Sequence, residues 1–177
     1  IEEDECILKR FPSLKKGEFY FTLGSLSKRK NLAWICKYAK NHPDETFAVS
    51  GKAISGLVPE ELHDLKTLKN VTLLGYVSDG EVKSLMKNCK AFVFPSYYEG
   101  FGIPPLEALS VGAKIIVSNT ASLPEIYADT AFYISPDDTD VQLKKLLEGK
   151  TAAPDKILKK YTYGAAAQKL LETLRNS

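Results

Sequence analysis

The sequence predicts an α/β domain whose parallel sheet of roughly six strands is covered by helices on both faces. Three observations carry this. Six short runs are apolar throughout rather than alternating, as strands buried on both faces are. Segments with apolar residues at helical spacing separate them, the order expected of successive strand–helix–strand units. The 177 residues, with no internal repeat, low-complexity stretch or dividing linker, suit one well-buried domain.

Residues 1–18 read as a lead-in, acidic from Glu2 to Glu5 and basic at Lys9-Arg10 and Lys15-Lys16. The first strand is Phe19 to Leu23, ended by Gly24. A helix is expected from about Lys30, with Leu32, Ile35, Cys36 and Ala39 on one face, and Pro43 marks its end. Thr46 to Ser50 is the second strand, turned by Gly51. Lys52 to Leu68 reads as a loop with an irregular helix after Pro59. Val71 to Leu74 makes the third strand, closed by Gly75. Ser78 with Glu81 three residues on has the form of a capping box, and its helix places Val82, Leu85, Met86 and Cys89 together.

Ala91 to Phe94 is the fourth strand. A loop through Tyr97, Tyr98, Glu99, Gly100, Phe101 and Gly102 follows it. Pro104 and Pro105 then suit the first turn of a helix, which would put Glu107 in that turn as well. The remaining elements are a strand over Lys114 to Val117, a short helix over Pro124 to Ala128 and a strand over Ala131 to Ile134. Helical patterns follow, one from Val141 capped by Asp137 or Asp138, and a last one with Ala167, Leu170, Leu171 and Leu174 in register.

Composition excludes several classes. Charged residues make up 26% and the formal charge is +2, without the clustered basic face that nucleic acid requires. Cys6, Cys36 and Cys89 are odd in number and widely spaced, which argues against a disulfide framework or structural zinc. No apolar run reaches the length of a membrane span, and the acidic start is not a signal peptide. A soluble cytoplasmic domain is the expectation. The lysines at 144, 145, 150, 156, 159 and 160 read as a solvated face, with an anionic lipid surface as the alternative.

In parallel sheets, ligands bind beyond the carboxyl ends of the strands, so the chemistry is sought at those corners. The first, Gly24-Ser25-Leu26-Ser27-Lys28-Arg29-Lys30-Asn31, combines a glycine, hydroxyls and three consecutive cations at a helix start. Cations are unfavourable there unless an anion compensates. A diphosphate is one such anion, and a solvated basic turn is the alternative. The corner lacks G-x-G-x-x-G, which opposes a nicotinamide or flavin dinucleotide. Ser50-Gly51-Lys52 is no phosphate loop, because Thr46 stands where the earlier glycine is needed. At the fourth corner, Glu99 and Glu107 flank a glycine-bearing bend. A carboxylate accepts hydrogen bonds from two adjacent hydroxyls, so a sugar-containing ligand fits. The alternatives are an exposed Glu99 and a Glu107 that satisfies the helix dipole. Asp138-Thr139-Asp140 reads as capping rather than as a cation site, and His42 and His63 read as structural.

Phe94-Pro95-Ser96, Glu99-Gly100-Phe101-Gly102 and Pro105-Leu106-Glu107-Ala108 together resemble the E-x₇-E signature of retaining GT-B glycosyltransferases. The resemblance is to the "glycosyltransferases group 1" family, number four in the carbohydrate-enzyme classification. Gly24-Ser25-Leu26 with Arg29-Lys30-Asn31, Leu74-Gly75-Tyr76-Val77, and Ser118-Asn119 with Leu123-Pro124-Glu125 are similar to further family motifs in the same order. The similarity runs from Phe19 to Ser135, and Tyr161 to Leu174 resembles the closing helix.

The resemblance implies a three-layer Rossmann-like domain, the C-terminal half of a GT-B fold, over residues 19–177, with residues 1–18 as interdomain linker. It implies that Glu107 holds the ribose hydroxyls of a nucleotide sugar and that Glu99 contacts the donor sugar. Lys30 and Arg29 would neutralise the diphosphate beside Gly24 and Ser25. Backbone at Gly100, Phe101, Gly102 and Ile103 would line the sugar pocket, and backbone at Tyr76 and Val77 would meet the base. Many members carry arginine directly after the first glycine, where this chain has Ser25, so Arg29 is expected to supply that charge.

No metal or other cofactor is implied. The expected partners are the nucleotide-sugar donor and a glycan or lipid-linked acceptor, the latter through an N-terminal domain this chain lacks. Peripheral contact at the inner membrane face is a further expectation. The isolated domain is expected to bind donor without transferring it. The competing reading is a non-catalytic module of the same fold that binds a nucleotide sugar or a protein.

Overall fold

A computed structural model describes residues 6–24, 27–51 and 64–175. The elements run α1 (Cys6–Arg10), β1 (Phe19–Leu23), a 3₁₀ turn (Lys28–Lys30), α2 (Leu32–Asn41), β2 (Thr46–Ser50), a second 3₁₀ turn (Asp64–Lys66), β3 (Val71–Gly75) and α3 (Asp79–Asn88). They continue through β4 (Ala91–Phe94), α4 (Ile103–Ser110), β5 (Ile115–Ser118), α5 (Leu123–Tyr127), β6 (Phe132–Ile134), α6 (Leu143–Leu146), α7 (Asp155–Lys160) and α8 (Tyr163–Arg175). The irregular helix expected after Pro59 falls largely outside the described residues.

All strand pairs are parallel, in the order β3-β2-β1-β4-β5-β6. The order reverses between β1 and β4, and a crevice opens there beyond the carboxyl ends of the strands. Side chains alternate across the sheet, yet nearly all are apolar because both faces are covered. Phe19, Phe21, Phe92, Phe94, Ile115 and Val117 face a layer formed by α1, α3, α4 and α5. Tyr20, Phe47, Val49, Val93 and Ile116 face Leu32, Trp34, Ile35 and Tyr38 of α2, together with Leu143 of α6. The three-layer Rossmann-like expectation is met.

The described part of the segment before β1, read above as a lead-in, packs into the core. Ile7 of α1 and Leu14 are fully buried in the α3 layer, Arg10 pairs with Glu81 at 2.9 Å, and Gly17 N–H donates to Asn88 O at 2.8 Å. The capping box of α3 forms as expected: Glu81 N–H donates to Ser78 Oγ at 3.3 Å and Ser78 N–H to Glu81 Oε2 at 2.7 Å. Ser78→Ala should therefore destabilise the domain by about 1 kcal/mol in chemical denaturation.

Two local expectations are corrected. Asp138 does not cap α6; its Oδ1 accepts from Asp140 N–H at 2.7 Å, and α6 begins after Gln142, whose side chain makes no capping bond. The helix α4 starts at Ile103, directly after Gly102 in the left-handed conformation (φ 80°), with the prolines in its first turn as expected. Glu107 thus lies beyond the first turn, where the helix dipole no longer explains it. Among the basic residues of the C-terminal third, Lys144 pairs with Asp44. The Leu170, Leu171 and Leu174 stripe of α8 is exposed.

Candidate functional site

The first and fourth corners meet at the crevice between β1 and β4. Gly24 follows β1, its N–H donating to Ser50 O at 3.0 Å. A Cβ there would lie 3.2 Å from Lys30 Cγ, so the glycine lets the Lys30 side chain fold back along the strand end. The 3₁₀ turn ends at Asn31, which is left-handed (φ 54°), a conformation asparagine tolerates better than most residues. Buried Asn31 donates from Nδ2 to Pro95 O at 2.9 Å and Pro136 O at 2.8 Å. It thereby ties three strand ends together. Tyr97 N–H donates to Arg29 O at 3.0 Å, fixing the register of the two corners.

This framework delivers a three-charge cluster. Lys30 Nζ lies 2.8 Å from Glu99 Oε1, and Arg29 Nη1 lies 2.7 Å from Glu99 Oε2. Arg29 also donates to Tyr98 O at 2.9 Å, and the Lys30 ammonium sits 4.7 Å from the centroid of the Phe94 ring. Burial by itself would raise the Glu99 carboxyl, but hydrogen bonds from Lys30 and Arg29 outweigh it and hold the group below its ordinary value. Two cations against one carboxylate leave a net positive crevice at a switch point, suited to an anion.

The loop between β4 and α4 is braced from the corner after β5. Ser122 Oγ donates to Glu99 O at 2.8 Å and Thr120 Oγ1 to Tyr97 O at 3.1 Å. Buried Tyr127 donates its hydroxyl to Gly102 O. Next to the crevice is a cleft of about 350 Å³, lined by Leu23 at the end of β1, Val82 and Met86 of α3, and Glu107 and Ser110 of α4. Burial, and then the charge of Asp79, raise the Glu107 carboxyl above its ordinary value. Unlike Glu99, it forms no ion pair among the described residues, although Lys83 lines the same cleft, and a carboxylate so placed accepts hydrogen bonds from hydroxyl donors.

The family model described as "Glycosyl transferases group 1" matches residues 5–163. The chain belongs to this glycosyltransferase family. It is 31% identical over 153 residues to O-antigen chain mannosyltransferase B of Escherichia coli, covering 81% of this chain and 40% of that protein. It is 32% identical over 127 residues to O-antigen chain mannosyltransferase RfbU of Salmonella typhimurium, covering 70% of this chain and 36% of that protein. Its fold superposes on sucrose-phosphate synthase of Thermosynechococcus elongatus with a TM-score of 0.76 and 18% identity, covering 99% of this chain and 49% of that one. The chain thus spans less than half the length of these relatives.

Within this group 1 glycosyltransferase domain the predicted residues fall into four places. Arg29, Lys30 and Glu99 converge in the crevice, beside Gly24. Glu107 lines the adjoining cleft. Exposed Tyr76 and buried Val77 lead from β3 toward the start of α3, which lines the same cleft. Phe101 packs edge-on against Tyr161, ring centroids 5.0 Å apart, while exposed Ile103 opens α4. Gly102 is sterically required, whereas a Cβ on Gly100 would meet nothing within 4 Å. Ser25 lies outside the described residues. Thr120, Ser122 and Tyr127 escaped the sequence reading, since nothing local marks a hydroxyl that braces a distant loop. Half-buried His42 follows α2 and stacks on Tyr38, centroids 4.0 Å apart, and His63 is outside the described residues.

Proposed function

We propose that the chain is the donor-binding half of a retaining glycosyltransferase that moves a hexose from a nucleotide diphosphate sugar to a glycan or lipid-linked acceptor. The observation that carries this reading is the Arg29–Glu99–Lys30 cluster at the β1–β4 crevice, with a second carboxylate in the cleft alongside. Glu107 binds the vicinal ribose hydroxyls. The base lies toward the backbone of Tyr76 and Val77. The diphosphate takes the crevice, and the donor sugar meets Glu99 and the backbone from Gly100 to Ile103. As the glycosidic bond breaks, charge develops on the departing diphosphate, and fixed cations stabilise that charge more than the ground state. Arg29 and Lys30 fill this role, so the reading needs no metal or resident cofactor.

Acceptor recognition belongs to a second domain outside this chain, and the exposed leucine stripe of α8 suits contact with it. The similarity to O-antigen mannosyltransferases makes a mannosyl donor the first to test, in polysaccharide biosynthesis at the cytoplasmic, inner face of a membrane. Among the described residues no helix is long and apolar enough to cross one.

Calorimetry with UDP, GDP, ADP and their hexose conjugates tests the proposal. At least one nucleotide should bind, with no sugar transferred by the chain alone. Glu107→Ala should weaken that nucleotide by about 1.5–3 kcal/mol, the worth of hydrogen bonds to a charged group, roughly ten- to hundredfold. A folded sample that binds none of them would overturn the reading.

A further inference from the structure

We propose that Ser96 is a positioning residue that takes hold of Glu99 when a diphosphate draws Arg29 away from it, a role that rests on the donor-binding reading above. Ser96 follows β4 by way of Pro95 and is wholly buried. Among the described residues its hydroxyl has no hydrogen-bond partner. A buried polar group left unpaired opposes folding, and alanine would fill the same space without that penalty. Burial pushes the Glu99 carboxyl up, while Lys30, Arg29 and, more weakly, the Ser96 hydroxyl hold it down. The unpaired donor therefore stands beside the carboxylate without hydrogen-bonding to it.

The surroundings keep Ser96 still and leave the Glu99 side chain free to turn. Pro95 O accepts from Asn31 Nδ2 at 2.9 Å and Tyr97 N–H donates to Arg29 O at 3.0 Å, so the backbone on either side of Ser96 is held. The Glu99 carbonyl is held too, by Ser122 Oγ at 2.8 Å. An exchange of partners thus needs only a rotation within the Glu99 side chain. The two cations differ in how readily a ligand can take them. Arg29 is 47% exposed and Lys30 14%, and the guanidinium is the planar fork that suits phosphate. When Arg29 turns to a diphosphate, Glu99 Oε2 loses its partner in a largely buried place, which is costly for a carboxylate. The Ser96 hydroxyl then donates to it, and Lys30 stays between Oε1 and the ligand. Glu99 keeps its place, with lone pairs left over for the hydroxyls of the donor sugar.

The test is calorimetry with UDP, GDP and ADP on the wild-type chain, Ser96→Ala, Glu99→Gln and the double variant, with urea denaturation of each in the absence of ligand. Ser96→Ala should unfold at the same urea concentration as the wild type or a higher one, since it removes an unpaired buried hydroxyl. It should bind whichever of the three the wild type binds about tenfold more weakly, the lower end of what a hydrogen bond to a charged group supplies. In the Glu99→Gln background, where no charge has to be caught, the same change should weaken binding less than about threefold. Three results overturn this inference and leave the donor-binding reading standing. They are unchanged binding by Ser96→Ala, an equal loss in the two backgrounds, and destabilisation of the unliganded variant, which would mean that Ser96 has a partner before any ligand arrives. A folded wild-type chain that binds none of the three nucleotides overturns both.

Discussion

Glu99→Gln is expected to tighten binding of a bare nucleoside diphosphate about tenfold while destabilising the unliganded domain by about 1–3 kcal/mol. Glu99 neutralises Lys30 and Arg29 in the empty crevice, so a diphosphate must share those cations with it or displace it. Glutamine keeps the shape and one acceptor but removes the competing charge. The two ion pairs do not weigh equally. Side-chain exposure is 9% for Glu99 and 14% for Lys30 but 47% for Arg29. The Lys30 pair is therefore little screened, and losing its partner is costly. The Arg29 pair, open to water, contributes at most about 1 kcal/mol.

The pH dependence has a definite sign. Because the folded protein holds Glu99 below the ordinary glutamate value of 4.5, its stabilisation is fully present above that value. It is lost as pH falls through the depressed folded value. Glu99→Gln should remove this part of the acid limb from a stability–pH profile. The variant should also lose the extra affinity of the nucleotide sugar over the bare diphosphate. An unchanged diphosphate affinity together with an unchanged acid limb would mean that Glu99 neither competes with the ligand nor holds the cations.

The strands were legible because burial on both faces leaves an apolar record at every position, as in Phe92-Val93-Phe94. The capping box at Ser78 and Glu81 was legible because it is complete within four residues. The helix α1 was not, since Cys-Ile-Leu-Lys-Arg is short and mixed in character, and forms because Ile7 and Leu14 find the α3 layer. Tertiary context overrides propensity there. At the site, each corner announced its chemistry through residue types: consecutive cations in one, paired carboxylates in the other. Their pairing across 69 positions was not announced. It depends on the reversal of strand order and on Asn31, whose amide reaches two carbonyls from other loops. The place of Glu107 beyond the first turn of α4 follows from a helix start at Ile103, directly before the prolines that marked it in the sequence.

Gly102→Ala should cost about 2–5 kcal/mol in urea denaturation, a large share of the stability of a domain this size. Two separate penalties meet at this residue. A non-glycine residue at φ 80° incurs roughly 1–2 kcal/mol of backbone strain. The added Cβ would also lie 2.7 Å from Leu123 Cδ2. Leu123 is fully buried in the core layer of α3, α4 and α5, and overpacking such a site costs about 1–3 kcal/mol. Gly100→Ala is the internal control. Its Cβ meets nothing within 4 Å, so its effect should stay within about 1 kcal/mol of wild type, of either sign. The contrast also reaches function. Gly102 is the hinge between the loop that presents Glu99 and the helix that presents Glu107, and its carbonyl receives the Tyr127 hydroxyl. A shift there moves one carboxylate relative to the other, so Gly102→Ala should weaken nucleotide-sugar binding even at temperatures where the variant is fully folded. Equal stabilities for the two alanine variants would show that the loop absorbs the added methyl by moving as a unit, and the left-handed turn would then not be what spaces Glu99 from Glu107.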